Sequence, residues 1–414
     1  MLANLFLLMK KILVVEEALK DSTGHWLEYD RAVVEMHQEA GIETTLLAHR
    51  QVDAQISDEI GAIGHFKETN WDGIYYSPSA LKRYFGVLLH NIRVYRAVAL
   101  HLKQSDAVYD CVFIPTVIIY HLIAWRCLLA IFGKRKFKRL VLFFRNNAGQ
   151  YDVKNDSFYF NKSAQILKKV LQSFSSAVRS GAVCLATDST RLADEYRQLA
   201  GVELTVFPHP MAVDESVVEQ MKKGPDDPVI LSMLGPARIE KGIEVLQSAI
   251  GKVIKSRPDL NVKFVIQWNV PIIMLDGSEY FPDQSLLDSG RVELLRNKLS
   301  SKEYNACFQA SEGIPLPYCL DSYYSRISGV LIEAAFAGKP MIVTRNSWLE
   351  DAVDQYGTGL CFADGDSDEL ADQIIRLVDR IESFAEQGKE RVAAAKQFHS
   401  TENFMKLLWD SEKA

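Results

Sequence analysis

Short runs of apolar, mostly β-branched residues alternate with longer stretches of helical periodicity along the whole chain. That is the pattern of parallel strands covered by helices on both faces. In the first half, Ile12–Val15, Thr44–Ala48, Ala107–Ile114, Leu140–Phe144, Ala182–Ala186 and Leu204–Phe207 predict strands. In the second half, Val229–Leu234, Val262–Gln267, Val292–Leu295, Gly313–Leu316, Met341–Val343 and Gly359–Phe362 do the same. Each set suffices for its own doubly wound parallel sheet. Between them, 211–228 holds Gly224 and the acidic pair Asp226-Asp227, bordered by Pro210 and Pro228, the composition of a connection. The expected organisation is an α/β chain with an N-terminal Rossmann-like domain over 1–210, a linker over 211–228, a C-terminal Rossmann-like domain over 229–392 and a final helical segment over 393–414. Within that segment, Ser400–Asp410 places Phe404, Leu407, Leu408 and Trp409 on one side, so it is expected to pack back on the N-terminal domain. Two such domains would face each other across a cleft lined by the carboxyl ends of their strands, where open α/β sheets bind ligands.

Composition narrows the function classes. The 414 residues carry 47 Lys+Arg against 53 Asp+Glu, a net charge of -6, which argues against a nucleic-acid partner. The charge is uneven, however, because residues 81–180 hold 17 basic and only 4 acidic side chains. Within them lies the run Lys134, Arg135, Lys136, Phe137, Lys138, Arg139. Near an anionic bilayer each cation contributes about 1 kcal/mol, so the run reads either as a peripheral membrane contact or as a solvated loop tip. The apolar stretch 116–132 is interrupted by His121 and Arg126 and falls short of the roughly 20 residues that span a bilayer. Six cysteines lie far apart with no Cys-x-x-Cys pair and no Cys/His cluster at zinc spacing, which predicts reduced thiols, no metal and a cytoplasmic protein. The first nine residues are apolar but lack a basic leader and a small-residue cleavage site, and Met9 is an alternative start.

Two stretches carry the candidate chemistry. In the first, the strand Val229–Leu234 runs into Gly235-Pro236-Ala237-Arg238-Ile239-Glu240-Lys241-Gly242 and then into a helical pattern. A glycine turn thus delivers two cations beside a helix N-terminus, a setting that holds a diphosphate. The alternative is a surface turn with two solvated charges. In the second, Ser325-Arg326-Ile327-Ser328-Gly329 opens a short apolar helix containing Glu333, and Gly338-Lys339-Pro340 ends it. A carboxylate in that setting needs a hydrogen-bonding partner, either a ribose diol or a neighbouring backbone group or cation. In the N-terminal half, Gly24-His25 and Arg145-Asn146 follow strands and are candidates for contact with an acceptor, or else ordinary loops. Asp364-Gly365-Asp366 precedes a helical pattern and reads as a cap rather than a metal motif.

The spacing Gly-x-x-Arg-x-x-Lys-Gly, the Pro317-Tyr318 loop and Ser-Gly-x-x-x-Glu-Ala-x-x-x-Gly-Lys-Pro resemble the GT-B glycosyltransferases, specifically glycosyltransferase family 4 (group 1). Thr187-Asp188-Ser189 and Phe207-Pro208-His209-Pro210 are similar to that family too. The resemblance implies a retaining, metal-independent hexosyltransferase without a cofactor, moving sugar from a UDP or GDP donor to a glycan or lipid-linked acceptor in polysaccharide, lipopolysaccharide or glycolipid synthesis. It implies that Arg238, Lys241, Glu333 and His25 are catalytic. Gly235, Ser325, Arg326, Ser328 and Gly329 would join Arg238, Lys241 and Glu333 around the donor, and Gly24, His25, Arg145 and Asn146 would meet the acceptor. The family pattern places a glutamate eight positions before Glu333, where this chain has Ser325. Two other readings stay open: a nucleotide-sugar epimerase or hydrolase on the same fold, and a catalytically silent binding or assembly partner, which that departure permits.

Overall fold

The computed structural model describes residues 10–21, 26–69, 79–117, 121–210, 224, 226–274 and 276–409. The chain divides into two compact units. One comprises 1–150, 158–212 and 399–414, and the other 151–157 and 213–398. Residues 211–223 and 225, most of the expected linker, lie outside the described residues, as do the first nine positions.

Up to residue 206 the strands are β1 (Lys11–Val15), β2 (Glu43–His49), β3 (Ala62–Phe66), β4 (Tyr109–Val117), β5 (Phe137–Phe144), the short β6 (Gln150–Asp152) and β7 (Ser157–Tyr159), which lie at the two ends of the segment 151–157 that belongs to the second unit, β8 (Val183–Thr187) and β9 (Thr205–Val206). Seven of them form one sheet in the order β3-β2-β1-β4-β5-β8-β9, with parallel pairings throughout. The order reverses direction between β1 and β4, which are in register from Ile12 opposite Cys111 to Val14 opposite Phe113. Strand β3 was not expected, because Ala-Ile-Gly-His-Phe is polar and glycine-containing at its centre and only its two ends are buried. Apolar clusters cover both faces of the sheet, one built on Leu13, Val112 and Leu142 and the other on Ile12, Phe113 and Phe143. The second cluster takes Phe404 and Leu408 from the helix Thr401–Trp409. Phe404 meets Tyr29, Phe113 and Phe207 edge-on, so this helix is part of the first unit's core.

The second unit contains β10 (Val229–Met233), β11 (Val262–Gln267), the short antiparallel pair β12 (Ile272–Ile273) and β13 (Glu279–Tyr280), β14 (Val292–Leu295), β15 (Ile314–Leu316), β16 (Met341–Thr344) and β17 (Gly359–Phe362). Two parallel three-stranded sheets, β10-β11-β14 and β15-β16-β17, are joined by a bridge from Leu231 to Gly313, where the Ser232 amide donates to the Gly313 carbonyl. The order across the bridge is therefore β14-β11-β10-β15-β16-β17. That is the doubly wound order of dinucleotide-binding sheets, and its switch point lies between β10 and β15. Both candidate stretches begin near there.

Of two expectations about the surface, one holds and one changes. The apolar stretch 116–132 ends β4 and then forms the helix Leu122–Phe132, and among the described residues no helix is long and apolar enough to cross a membrane. The basic run 134–139 is not a free loop tip, because Phe137 already begins β5. Arg139 is only 7 % exposed, Lys138 pairs with Asp110 at 2.6 Å, and Lys136 donates to the Ser105 carbonyl. Strand pairing with β4 turns Arg139 inward, so it leaves the proposed membrane patch.

Candidate active site

The turn after β10 is built on two glycines with left-handed backbone. Gly235, at φ 78°, donates its amide to the Gln267 side chain at 2.7 Å, and the Ala237 amide donates to the Gln267 carbonyl. A Cβ at Gly235 would come within 2.8 Å of Lys241 Nζ, so only glycine lets that ammonium lie against the turn. Gly242, at φ 71°, caps the helix Ile243–Ser256 where a Cβ would strike the Pro317 carbonyl oxygen. The close approach locks the turn after β10 against the loop after β15.

That loop places aromatic rings around Lys241. Its Nζ stands 5.7 Å from the centre of the buried Tyr318 ring, Tyr318 packs on Tyr323 at 4.4 Å, and Arg326 lies over Tyr323 at 4.8 Å. Arg238 is exposed, with Glu240 at 3.4 Å. Burial, with the like charges of Arg238 and Arg326, pushes the Lys241 ammonium down to about 8 against the opposing pull of Glu240. Three cations thus converge where one carboxylate offsets them, an arrangement that an anion with two or three charges relaxes.

Ser328 caps the helix Gly329–Phe336 by accepting from the Leu331 amide at 3.3 Å. The amides of the first turn lack partners within the helix, and Gly329 is exposed with no atom near the place of a Cβ, so that end is open to an approaching group. Glu333, one turn on, accepts a hydrogen bond from Tyr304 at 2.5 Å, and burial pushes its carboxyl up to about 7. Its partner is a phenol from the helix Ser301–Ala310, not the backbone group or cation that the sequence offered. Lys339 fixes that helix from behind, donating to the carbonyls of Ser311 at 2.5 Å and Gln309 at 3.3 Å while 1 % exposed. Ser325 is wholly buried, and its hydroxyl has no hydrogen-bond partner among the described residues. Asp366 caps the helix Ser367–Asp379, and Asp364 accepts from the Leu320 amide, as expected of a turn rather than a metal motif.

Gly235, Arg238, Lys241, Arg326, Ser328, Gly329 and Glu333 therefore all border the β10–β15 switch point, with Ser325 buried beside them. Tyr304, Tyr318 and Tyr323 join them. No spacing rule marks Tyr304, since 29 positions separate it from Glu333. In the first unit, Gly24 and His25 lie outside the described residues. The Arg145 guanidinium lies 3.8 Å from the Tyr29 ring centre, and its charge opposes the burial that raises Glu16 and Asp30. The Asn146 carbonyl accepts from Tyr196, and the following loop is held by Glu195, which takes the amides of Ala148 and Gly149.

Residues 228–380 match the family model described as glycosyl transferases group 1. Among curated proteins no sequence matches the chain. Among solved structures, sucrose-phosphate synthase from Thermosynechococcus elongatus is 15 % identical with a TM-score of 0.67, covering 97 % of this chain and 98 % of that one. Anabaena HepE, solved in complex with UDP and glucose, is 14 % identical with a TM-score of 0.62, covering 96 % and 98 %. The lipopolysaccharide outer core galactosyltransferase WaaB gives 14 %, 0.62, and the same coverages of 96 % and 98 %. Residues 228–380 are thus similar to glycosyl transferases group 1, and the chain as a whole has the GT-B fold of two Rossmann-like domains.

Proposed function

We propose that the chain is a retaining glycosyltransferase that moves a hexosyl group from a nucleoside-diphosphate sugar to a glycan or lipid-linked acceptor. The observation that carries the reading is the convergence of Arg238, Lys241 and Arg326 beside the open N-terminus of the helix Gly329–Phe336. Two phosphates placed there would meet three cations and unpaired amides. The carboxyl of Glu333 would take the ribose diol, with Tyr304 orienting it. Each charge-assisted hydrogen bond contributes about 1.5 to 3 kcal/mol. It accelerates transfer to the extent that it strengthens as charge gathers on the departing diphosphate.

In the reaction the bond from the anomeric carbon to the diphosphate oxygen breaks and the bond to the acceptor oxygen forms. The acceptor hydroxyl proton passes to the departing phosphate on the same face of the sugar. This front-face route accounts for retention without a protein nucleophile, and the side-chain cations meet the phosphate charge without calling for a metal. Ser325 in place of the family's glutamate changes what the donor sugar hydroxyls meet, so donor preference is expected to differ from that of relatives with a carboxylate there. HepE was solved with UDP-glucose, which makes UDP-sugars the first donors to try.

A second observation favours a lipid-linked acceptor. The helix Ala80–Gln104 holds five Lys and Arg and no Asp or Glu. Along one side it exposes Leu81 (80 %), Phe85 (59 %), Leu88 (50 %) and Ile92 (38 %). An apolar stripe on a wholly basic helix fits the interface of an anionic bilayer better than the run 134–139 does. Incubating the protein with UDP- and GDP-sugars and lipid-extracted glycan acceptors, with NMR of the product, tests the reading. An α-linked product from an α-donor is expected. Release of free sugar or an epimer without acceptor supports the epimerase or hydrolase reading instead, and no turnover with any donor supports the silent partner.

A further inference from the structure

The first unit has a switch point of its own, between β1 and β4, and metal-ligating side chains from three elements meet there. Glu17 stands in the turn after β1, His90 on the helix Ala80–Gln104, and His121 at the start of the helix that follows β4. All three are buried, and one donor atom from each lies within 4.8 Å of the other two. Glu17 Oε1 is 3.1 Å from His90 Nε2 and 3.8 Å from His121 Nδ1. Tetrahedral zinc, with bonds of about 2.0 to 2.1 Å, sets its ligand atoms roughly 3.3 Å apart. The observed spacing brackets that value.

The surrounding chain holds the three donors in place. The two imidazoles stack at 4.3 Å between centres and 26° between planes, which aims one nitrogen of each at the same carboxylate. Asn91, beside His90, accepts from the Ala124 amide at 2.8 Å and donates to the Val87 carbonyl at 2.8 Å, pinning the first turn after His121 against the helix that carries His90. The turn bearing Glu17 is fixed by the Glu16 amide, which donates to the Leu47 carbonyl at 3.0 Å, and by the Glu16 carboxylate, which accepts from Ala18. The second oxygen of Glu17 is buried without a hydrogen-bond partner among the described residues.

We propose that Glu17, His90 and His121 form a binding site for one divalent transition-metal ion, zinc fitting best, with a fourth coordination position left for water. Two imidazoles and one carboxylate are a donor set that zinc takes readily and that calcium and magnesium do not. The site is legible only in three dimensions, because its ligands are separated by 73 and 31 positions in the chain, far outside any motif spacing. The ion would fasten the β1 turn to two helices around the sheet's switch point. The inference concerns the first unit and does not depend on the transferase reading.

The test uses the full chain purified without a polyhistidine tag and stripped with a chelator. Titration with zinc chloride is expected to give one equivalent bound and a raised melting temperature. Glu17→Gln and His121→Gln should each weaken binding at least tenfold and abolish that rise. Cobalt added to the wild-type protein should give the visible spectrum of a nitrogen- and oxygen-ligated four- or five-coordinate ion, a readout that needs no variant to fold. Absence of stoichiometric zinc binding by the folded wild-type protein overturns the proposal. So does unchanged affinity in folded Glu17→Gln and His121→Gln, or a thiolate charge-transfer band placing the ion on a cysteine.

Discussion

Glu333 and Lys241 bring opposite pH dependences to one site. The Glu333 carboxyl, raised to about 7, is protonated at lower pH and becomes the stronger acceptor for a ribose diol as pH rises through 7. The Lys241 ammonium, lowered to about 8, loses its charge above that pH in the free protein, and a bound diphosphate favours its charged form. Affinity for a nucleoside diphosphate is therefore expected to rise through pH 7 and fall above pH 8, with proton uptake on binding on the alkaline side. Calorimetry in buffers of different ionisation enthalpy reads both. Glu333→Gln should weaken nucleotide binding by about 1.5 to 3 kcal/mol at pH 8 and remove the acid limb. An acid limb that survives in the variant would detach it from Glu333. At this scale the sequence marked the cations and Glu333, since each stands in a short motif. It gave no sign of Tyr304, whose phenol reaches Glu333 only through the packing of two helices.

Lys339 shows how an element rather than a residue holds the candidate site. A lysine that reads as the end of one helix is the cap of another, meeting the last carbonyls of Ser301–Ala310 and so setting the position of Tyr304. Lys339→Met keeps the length and removes the donor, taking the ammonium away from the Ser311 and Gln309 carbonyls. It is expected to cost about 1 to 3 kcal/mol in urea unfolding and to weaken nucleotide binding through Tyr304. An unchanged midpoint would show that the cap is dispensable. In the second unit β10, β11, β15 and β16 were legible as largely buried apolar runs bounded by turns, whereas the short pair β12 and β13 was not predicted. In the first unit β3 was not, since an edge strand with buried ends and a polar centre lacks that signature. Arg139 misled for a related reason: among neighbouring cations it looks solvated, and only strand alternation shows it to be buried.

For the whole molecule, the doubly wound order of each sheet is what makes two distant motifs neighbours. In the second unit it brings the turn after β10 beside the loop after β15, and in the first it brings Glu17 beside His121. The uneven charge along the chain also takes on a shape at this scale, in the acid-free helix Ala80–Gln104. Sedimentation with anionic phosphatidylglycerol vesicles is expected at low salt, and Phe85→Ser with Leu88→Ser should reduce it severalfold. No binding of the unaltered protein to such vesicles would remove the membrane contact. The central claim is that the cations after β10 and β15 hold a sugar nucleotide's diphosphate, and titration calorimetry with UDP and GDP tests it most directly. The account predicts that at least one of them binds the wild-type chain and that Lys241→Ala, still folded, loses roughly ten- to hundredfold in affinity. A wild-type protein that binds neither nucleotide, or a Lys241→Ala variant that binds as tightly as the parent, would contradict it.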